Sequence, residues 1–296
     1  MSFEASLLAK LIELVRQGKR PVIGLNGPVG AGKSTLSRRL ANQAATQGLR
    51  LAVASIDDAY LPWEPRCQAM VGNPFGVDRV PPGSHEPGLL VEAIDQWRSD
   101  SPWRRDSPGL LSLPRFDKRL RQGAGDRCGF SQESADGLLL EGWLMGCRPI
   151  GDRQIGAARA VEPRLLGSPV LSPAEWAWLP HWDEALGPYQ SLWQRLDGLW
   201  LLWPLDWRLP RRWRFQAEAQ QRRQGGGWLR GSRLDQLVRS SLASLPPELY
   251  LLPLVAGADQ LQLLDRRRRS LWEGPGWDFD PSQANLERLK SCKPPG

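Results

Sequence analysis

Eight consecutive residues, Gly27-Pro28-Val29-Gly30-Ala31-Gly32-Lys33-Ser34, constrain the fold of this chain more than any other stretch. They satisfy G-x-x-x-x-G-K-[ST] in full, with Thr35 following. Glycines let successive backbone N–H groups wrap an anion without Cβ clashes, and the helix that follows points its N-terminus at the same anion. Such a loop needs a buried strand before it and a helix after it. Pro21–Asn26 is a short apolar run that reads as the strand, and Ser34–Gln47 reads as the helix, closed by Gly48. Arg50–Asp57 reads as a second strand. Strand, helix and strand at this spacing form a βαβ unit, which implies a parallel sheet.

Three further apolar runs extend the pattern: Gly137–Leu144, Gly198–Pro204 and Gln260–Asp265, the last expected to be the final strand. Between Pro62 and Pro114 proline and glycine break the periodicity around one helical piece, Leu89–Trp97. A structureless loop of that length is unusual in a compact domain, so residues 62–113 read as an insertion covering a substrate site. A polar, arginine-rich helix is expected over Trp207–Gln224, broken by Gly225-Gly226-Gly227, and another over Arg233–Leu245. Arg266 to Arg269 fit a solvent-exposed hairpin turn. The expected fold class is α/β of the P-loop NTPase type: a doubly wound, mainly parallel sheet with helices on both faces and an inserted lid and substrate region. The expected organisation is an amphipathic helix over 1–19, a kinase domain over 20–275 with a lid helix and loop at 207–232, and a tail over 276–296.

The chain has 296 residues and a net charge of +7, carried by arginine, since lysine occurs only six times. Arginine suits bidentate capture of carboxylates and phosphates. No recognisable nucleic-acid module accompanies the charge, so no nucleic-acid partner is expected. Cys67, Cys128, Cys147 and Cys292 are far apart and form no C-x-x-C pair, which fits reduced thiols in a cytoplasmic protein. No apolar run approaches a membrane span, and the expected partner is a small-molecule substrate.

Several residues carry candidate chemistry. Gly27, Pro28, Val29, Gly30, Ala31, Gly32, Lys33, Ser34 and Thr35 form the nucleotide-binding set. Within it Lys33 is expected to reach the β- and γ-phosphates, and the Ser34 hydroxyl to take a magnesium position. No N-K-x-D occurs, so ATP is the expected nucleotide, with Mg²⁺ as its partner. Asp57 and Asp58 end the second strand, where an α/β sheet faces its ligand crevice; such a carboxylate can orient an acceptor hydroxyl and take its proton. Glu141 closes the run GLLLE, and a carboxylate there needs a cation or donors. Magnesium is the natural partner. Asp58 is the alternative to Asp57 as base. Leu113–Arg127 packs Arg115, Lys118, Arg119, Arg121 and Arg127 around Asp117 and Asp126. That basic loop could hold an anionic acceptor or simply be solvated.

Taken together, GLNGPVGAGKSTL, SIDDAYL, GNPFGVDRVPPGSHEPGLL, LPRFDKRLRQGAGDR, LLLEGWLMGCRP, LGPYQSLWQRLDGLWLL and WRFQAE occur in an order that resembles the D-glycerate 3-kinases. These are P-loop kinases similar to the uridine kinase, phosphoribulokinase and pantothenate kinase group. The resemblance spans roughly Pro21 to Asp265. It implies ATP-dependent phosphorylation of D-glycerate at its 3-hydroxyl, in a process such as photorespiration. It also implies Asp57 as base and Glu141 as magnesium partner, with Arg79 and His85 shaping the acceptor pocket. Arg115, Lys118 and Arg127 would be carboxylate clamps, and Arg214 and Arg222 contacts to the nucleotide phosphates. The chain departs from the family at Ala59, where Phe is usual, at Ser84-His85-Glu86, where Thr-His-Asp is usual, and at Ala217, where a polar or acidic residue is typical. Two rival readings remain: the same scaffold acting on a nucleoside, sugar phosphate or pantothenate, and an ATPase switch with no small product.

Overall fold

The computed structural model describes residues 1–99, 109–223 and 231–281. At its centre is a six-stranded sheet built from β1 (Val22–Asn26), β2 (Leu51–Ser55), β5 (Gly137–Gly142), β6 (Gly198–Pro204), β7 (Gln260–Leu264) and β8 (Ser270–Gly274). The order across the sheet is β2-β5-β1-β6-β7-β8, parallel except for the edge strand β8. Strands β3 (Gly109–Asp117) and β4 (Asp126–Ala135) form a separate antiparallel hairpin. The main helices are α1 (Phe3–Arg16), α2 (Lys33–Thr46), α3 (Trp63–Ala69), α4 (Gly88–Ser99), α5 (Asp152–Ala158), α6 (Pro173–Glu184), α7 (Gln190–Trp193), α8 (Leu209–Arg223) and α9 (Gly231–Ala243).

Side chains of successive strand residues point to opposite faces, and the core divides accordingly. Val22, Leu138 and Leu140 join one buried cluster with residues of α4, α6, α7 and α9. Ile23, Leu25 and Leu139 join the other, with Phe3, Leu7 and Leu11 of α1 and Leu36 and Leu40 of α2. Every residue of β1 and β5 is buried, as strands covered on both faces require. The doubly wound arrangement expected from the sequence is therefore the one observed.

Several local expectations change. The strand expected over Arg50–Asp57 stops at Ser55, because the Ser55 hydroxyl accepts from Asp57 N at 3.3 Å and Asp58 Oδ2 accepts from Ser55 N at 3.1 Å. That reciprocal cap opens a 3₁₀ turn over Ile56–Ala59. The region Pro62–Pro114 holds α3 in addition to the expected helix. Leu113–Arg127, read as a basic loop, is instead the end of β3, the hairpin tip and the start of β4. Gln260–Asp265 is not the last strand, since β8 returns antiparallel beside it after the Arg266–Arg269 turn. The Gly225–Gly227 break, Cys292 and residues 282–296 of the tail lie outside the described residues. Among the described residues no helix is long and apolar enough to cross a membrane.

Candidate active site

The carboxyl ends of β2, β5, β1, β6 and β7 open on a cleft of about 830 Å³, the crevice in which α/β sheets bind ligands. Val29 to Thr35 form its floor. The loop starts where the β1–β5 ladder ends: Gly27 N donates to Gly142 O at 3.2 Å. Gly30 and Gly32 have φ of +78° and +100°, a backbone state that favours glycine. At Gly30 space adds to conformation, because a Cβ there would lie 2.7 Å from the Arg214 nitrogen of α8. The loop is thus pressed between α2 and α8. Lys33 Nζ donates to Gly27 O at 2.7 Å and Pro28 O at 3.2 Å, so the ammonium is folded over the loop. Burial lowers the pKa of Lys33, opposed by the charges of Glu141 and Asp57.

Glu141 arrives from β5, in register with Leu25 of β1. It is buried, and its Oε1 accepts from Ser34 Oγ at 2.6 Å. A hydroxyl and a carboxylate side by side at the phosphate loop are hard oxygen ligands of the kind Mg²⁺ takes together with substrate phosphates. The residues present therefore fit magnesium, with Ser34 and Glu141 as the groups that would hold it.

The other half of the cleft is assembled from distant segments. The turn after β2 brings Asp57, Asp58 and Tyr60 to its wall. Asp58 spends one oxygen on the Ser55 cap, and burial raises its pKa. Asp57 is 26% exposed, and its Oδ2 accepts from Lys118 Nζ at 2.7 Å. Burial would raise Asp57, but Lys118 and then His85 outweigh it and hold the carboxyl well below the usual range. The two acids of one dipeptide are thus pushed in opposite directions. Only Asp57 is paired with a cation at the mouth of the cleft.

Lys118 reaches Asp57 because the β3–β4 hairpin tip is fixed from below. Arg66 of α3 is 0% exposed and donates to Leu61 O, Asp78 O, Ala124 O and Gly125 O at 2.6–3.2 Å. Its guanidinium lies 4.8 Å over the Phe116 ring and 5.6–5.8 Å over Trp63 and Tyr60. Arg79, also buried, donates from Nη1 to Gly123 O and Ala124 O while lining the cleft. Two guanidinium groups therefore hold the backbone of the tip through its carbonyls. Arg66 carries no sequence signal of this role.

Not every expected residue faces the cleft. The His85 side chain is fully buried behind Asp57. It lies there because Leu61 N donates to Ser84 O and Glu86 N to Ala59 O, which lays residues 84–86 against the acidic turn. Arg127 donates to Tyr60 O and pairs with Glu86, both at 2.8 Å, so it braces the wall from outside the cleft. The same pair absorbs the longer acid at position 86. Ala59 is fully buried, and Ala217 lines the cleft. Arg115 is exposed on the irregularity of β3, its charge felt at Asp58. Arg214 lines the cleft and pairs with Glu218 at 3.1 Å, whereas Arg222, two turns further along α8, lies in the groove between α8 and α9. Sequence reading missed Tyr189, which meets His85, and Arg268, which lines the cleft and donates to Gly30 O at 3.0 Å.

Residues 3–62 match the family model described as methylmalonyl Co-A mutase-associated GTPase MeaB. That span covers α1, the phosphate loop and the acidic turn, and ends before α3 and the β3–β4 hairpin. The chain is 28% identical over 242 residues to the chloroplastic D-glycerate 3-kinase of Arabidopsis thaliana, covering 77% of this chain and 48% of that one. It thus spans about half the length of that relative. It is 24% identical over 233 residues to the uncharacterized kinase mug58 of Schizosaccharomyces pombe, covering 74% of this chain and 79% of that one. The solved D-glycerate 3-kinase from Cryptococcus neoformans superposes with a TM-score of 0.75 at 21% identity, over 93% of this chain and 99% of that one. The P-loop kinase fold is shared, and the likeness to D-glycerate 3-kinases drawn from the motifs is borne out.

Proposed function

We propose that the protein transfers the γ-phosphoryl group of ATP to the 3-hydroxyl of D-glycerate, giving 3-phosphoglycerate and ADP. The observation that carries this reading is that one cleft joins a phosphate-binding loop to an ion pair of Asp57 with Lys118 at 2.7 Å. A small acceptor that is both an alcohol and an anion matches that pair: its hydroxyl goes to the carboxylate and its carboxylate to the lysine. The likeness to proteins named D-glycerate 3-kinase supports glycerate among such acceptors.

The triphosphate lies on residues 27–35, with Lys33 released from the carbonyls of Gly27 and Pro28 to the β- and γ-phosphates. Ser34 and Glu141 would hold magnesium, which when bound would supply charge neutralisation at the phosphate oxygens. Asp57 accepts a hydrogen bond from the acceptor hydroxyl and takes its proton as the oxygen attacks the γ-phosphorus and the bond to the bridging oxygen of ADP breaks. Phosphoryl transfer asks for positioning and electrostatics more than covalent help. Asp57 therefore needs to be ionised and aimed rather than strongly basic. Lys118 and the cleft-facing edge of Arg79 meet the acceptor carboxylate, and Arg214 meets the phosphates as α8 closes to exclude water.

A coupled assay of ADP release over D-glycerate, L-glycerate, uridine, pantothenate and ribulose 5-phosphate tests the acceptor. D-glycerate is expected to give the highest kcat/KM, with the product identified as 3-phosphoglycerate by its phosphorus NMR signal. Faster turnover of another acceptor overturns the substrate. ADP release with no phosphorylated small product overturns the kinase reading.

A further inference from the structure

Behind Asp57 lies a buried polar pair that none of the steps above employs. His85 and Tyr189 are 5% and 1% exposed and come from segments 104 residues apart in sequence. The imidazole stacks on Tyr60, with ring centroids 4.2 Å apart and planes inclined by 16°. Its Nδ1 lies 2.8 Å from the Tyr189 hydroxyl and 3.4 Å from Ser84 Oγ. Its Nε2 is buried with no hydrogen-bond partner and faces Asp57 Oδ1 at 3.8 Å.

The surroundings fix the tautomer. Ser84 Oγ donates to Pro81 O at 2.6 Å, so its hydrogen is not free for the imidazole. The Tyr189 hydroxyl, 2.8 Å away, is then the donor available to Nδ1. The ring proton of a neutral imidazole then sits on Nε2. The opposite tautomer would turn the Nε2 lone pair toward a carboxylate and set like charge against like. Burial lowers the His85 pKa, partly offset by Asp57, which favours the neutral ring. The charged and titratable groups around it are Asp57 and Tyr60 on the acidic turn, Tyr189, Lys118 on the hairpin tip and Arg66 on α3.

Asp57 thus has a neighbour at each oxygen: Lys118 Nζ donates to Oδ2 at 2.7 Å, and His85 Nε2 faces Oδ1 at 3.8 Å, beyond hydrogen-bond distance. The two neighbours differ in permanence. The Lys118 side chain is 56% exposed, and an anionic acceptor competes with Asp57 for it. The His85 side chain is 0% exposed and no ligand reaches it. Ring nitrogens of buried histidines are ordinarily satisfied. Here the nitrogen without a partner is the one that faces the acid.

We propose that Tyr189 and His85 are positioning residues for Asp57: Tyr189 sets the imidazole tautomer, and the Nε2–H holds the carboxylate toward the acceptor hydroxyl once Lys118 has turned to the acceptor. This rests on Asp57 being the group that receives the acceptor hydroxyl.

The test is a double-mutant cycle of Tyr189→Phe and His85→Gln, with Asp57→Asn as a reference, in the full-length protein. Measured quantities are kcat, KM for D-glycerate, Mg·ADP affinity by tryptophan quenching, and the pH profile of kcat/KM. Each single variant is expected to lose about tenfold in kcat, the scale on which outer-shell partners act elsewhere, while Mg·ADP affinity stays within about twofold. The double variant should lose no more than the worse single, because both act through one carboxylate. His85→Gln removes a group that holds the Asp57 carboxyl low, so the acid limb should move to higher pH. Additive losses with an unshifted acid limb mean packing alone and overturn the inference. Normal turnover in Tyr189→Phe, which keeps the ring and hence the fold, overturns it even if His85→Gln does not fold. Loss in Asp57→Asn beside normal Tyr189→Phe and His85→Gln overturns this inference alone. Near-normal Asp57→Asn overturns the role of Asp57 as well.

Discussion

The two halves of the cleft are built in opposite ways. The donor half is one continuous stretch, residues 27–35, in which backbone groups do most of the work and Gly30 and Gly32 take φ values of +78° and +100°. The acceptor half draws Asp57 from the turn after β2, Arg79 from the segment before α4 and Lys118 from the β3–β4 tip. His85 and Tyr189 stand behind it. A contiguous loop is shaped by its own torsions and its flanking strand and helix. An assembled wall depends on whatever fastens its pieces, and here the fastener is a buried guanidinium. Desolvating Arg66 is costly and lowers its pKa, opposed by Asp78 and Tyr60. The cation is offset by carbonyl acceptors and aromatic faces rather than by a salt bridge.

If the halves are independent, acceptor-side substitutions should spare nucleotide binding. The largest effect is expected from Asp57→Asn, which should lower kcat by about 10² or more, as for loss of a general base. Mg·ADP affinity, measured by calorimetry, should be retained. A parallel loss of affinity would break the separation of donor from acceptor. Arg66→Met comes next. Leaving buried carbonyls without a donor should cost about 2 kcal/mol of stability in urea unfolding. It should raise KM for D-glycerate more than KM for ATP, since it frees the tip that carries Lys118. Equal changes in both KM values would mean that the fastener serves the whole cleft.

Lys118→Ala should have the smallest effect, raising KM for D-glycerate about tenfold, the equivalent of one charge-assisted hydrogen bond. Stability should change by less than about 1 kcal/mol, because the lysine is largely exposed. The sign of its pH effect follows from Asp57. A carboxyl held below its unfolded pKa adds stability at higher pH and loses it as pH falls through the folded value. Removing Lys118 lets the Asp57 pKa rise, so the acid limb of kcat/KM should move upward. An unmoved limb would assign the depression of Asp57 to His85.

The donor half was legible in the sequence almost residue by residue. β6 is observed over Gly198–Pro204 as expected, and α2 differs from expectation by one residue at each end. Strong apolar runs and a glycine motif are local signals. The acceptor half was legible only in part. Asp57 and Lys118 stood out by position or charge, and Arg79 by resemblance. The hairpin was hidden because β4 is half exposed and almost none of it is buried, so its polar residues give no apolar strand pattern. In β3, Leu111 and Leu113 are buried while Leu110 is exposed, an alternation that could have revealed the strand had the charges beyond it not suggested a loop. Helix α3 was masked by the prolines around it. His85 read as a substrate contact, and only the pairing of residues 59–61 with 84–86 turned it inward.

The sequence by itself determined the phosphate loop, the buried strands around it and the presence of acids at two strand ends, because each depends on neighbours a few residues away. Tertiary structure decided which acid stands free, which cations face the cleft and which hold it together. Asp57 and Asp58 are adjacent and chemically identical, yet one is bound to Lys118 and the other to the Ser55 cap. Arg66 and Lys118 are both cations, yet one is fully buried and the other mostly exposed. The Ser55 cap that takes Asp58 is local, but the pairing of Asp57 with Lys118 and the burial of Arg66 arise from desolvation and from contacts between segments far apart in the chain.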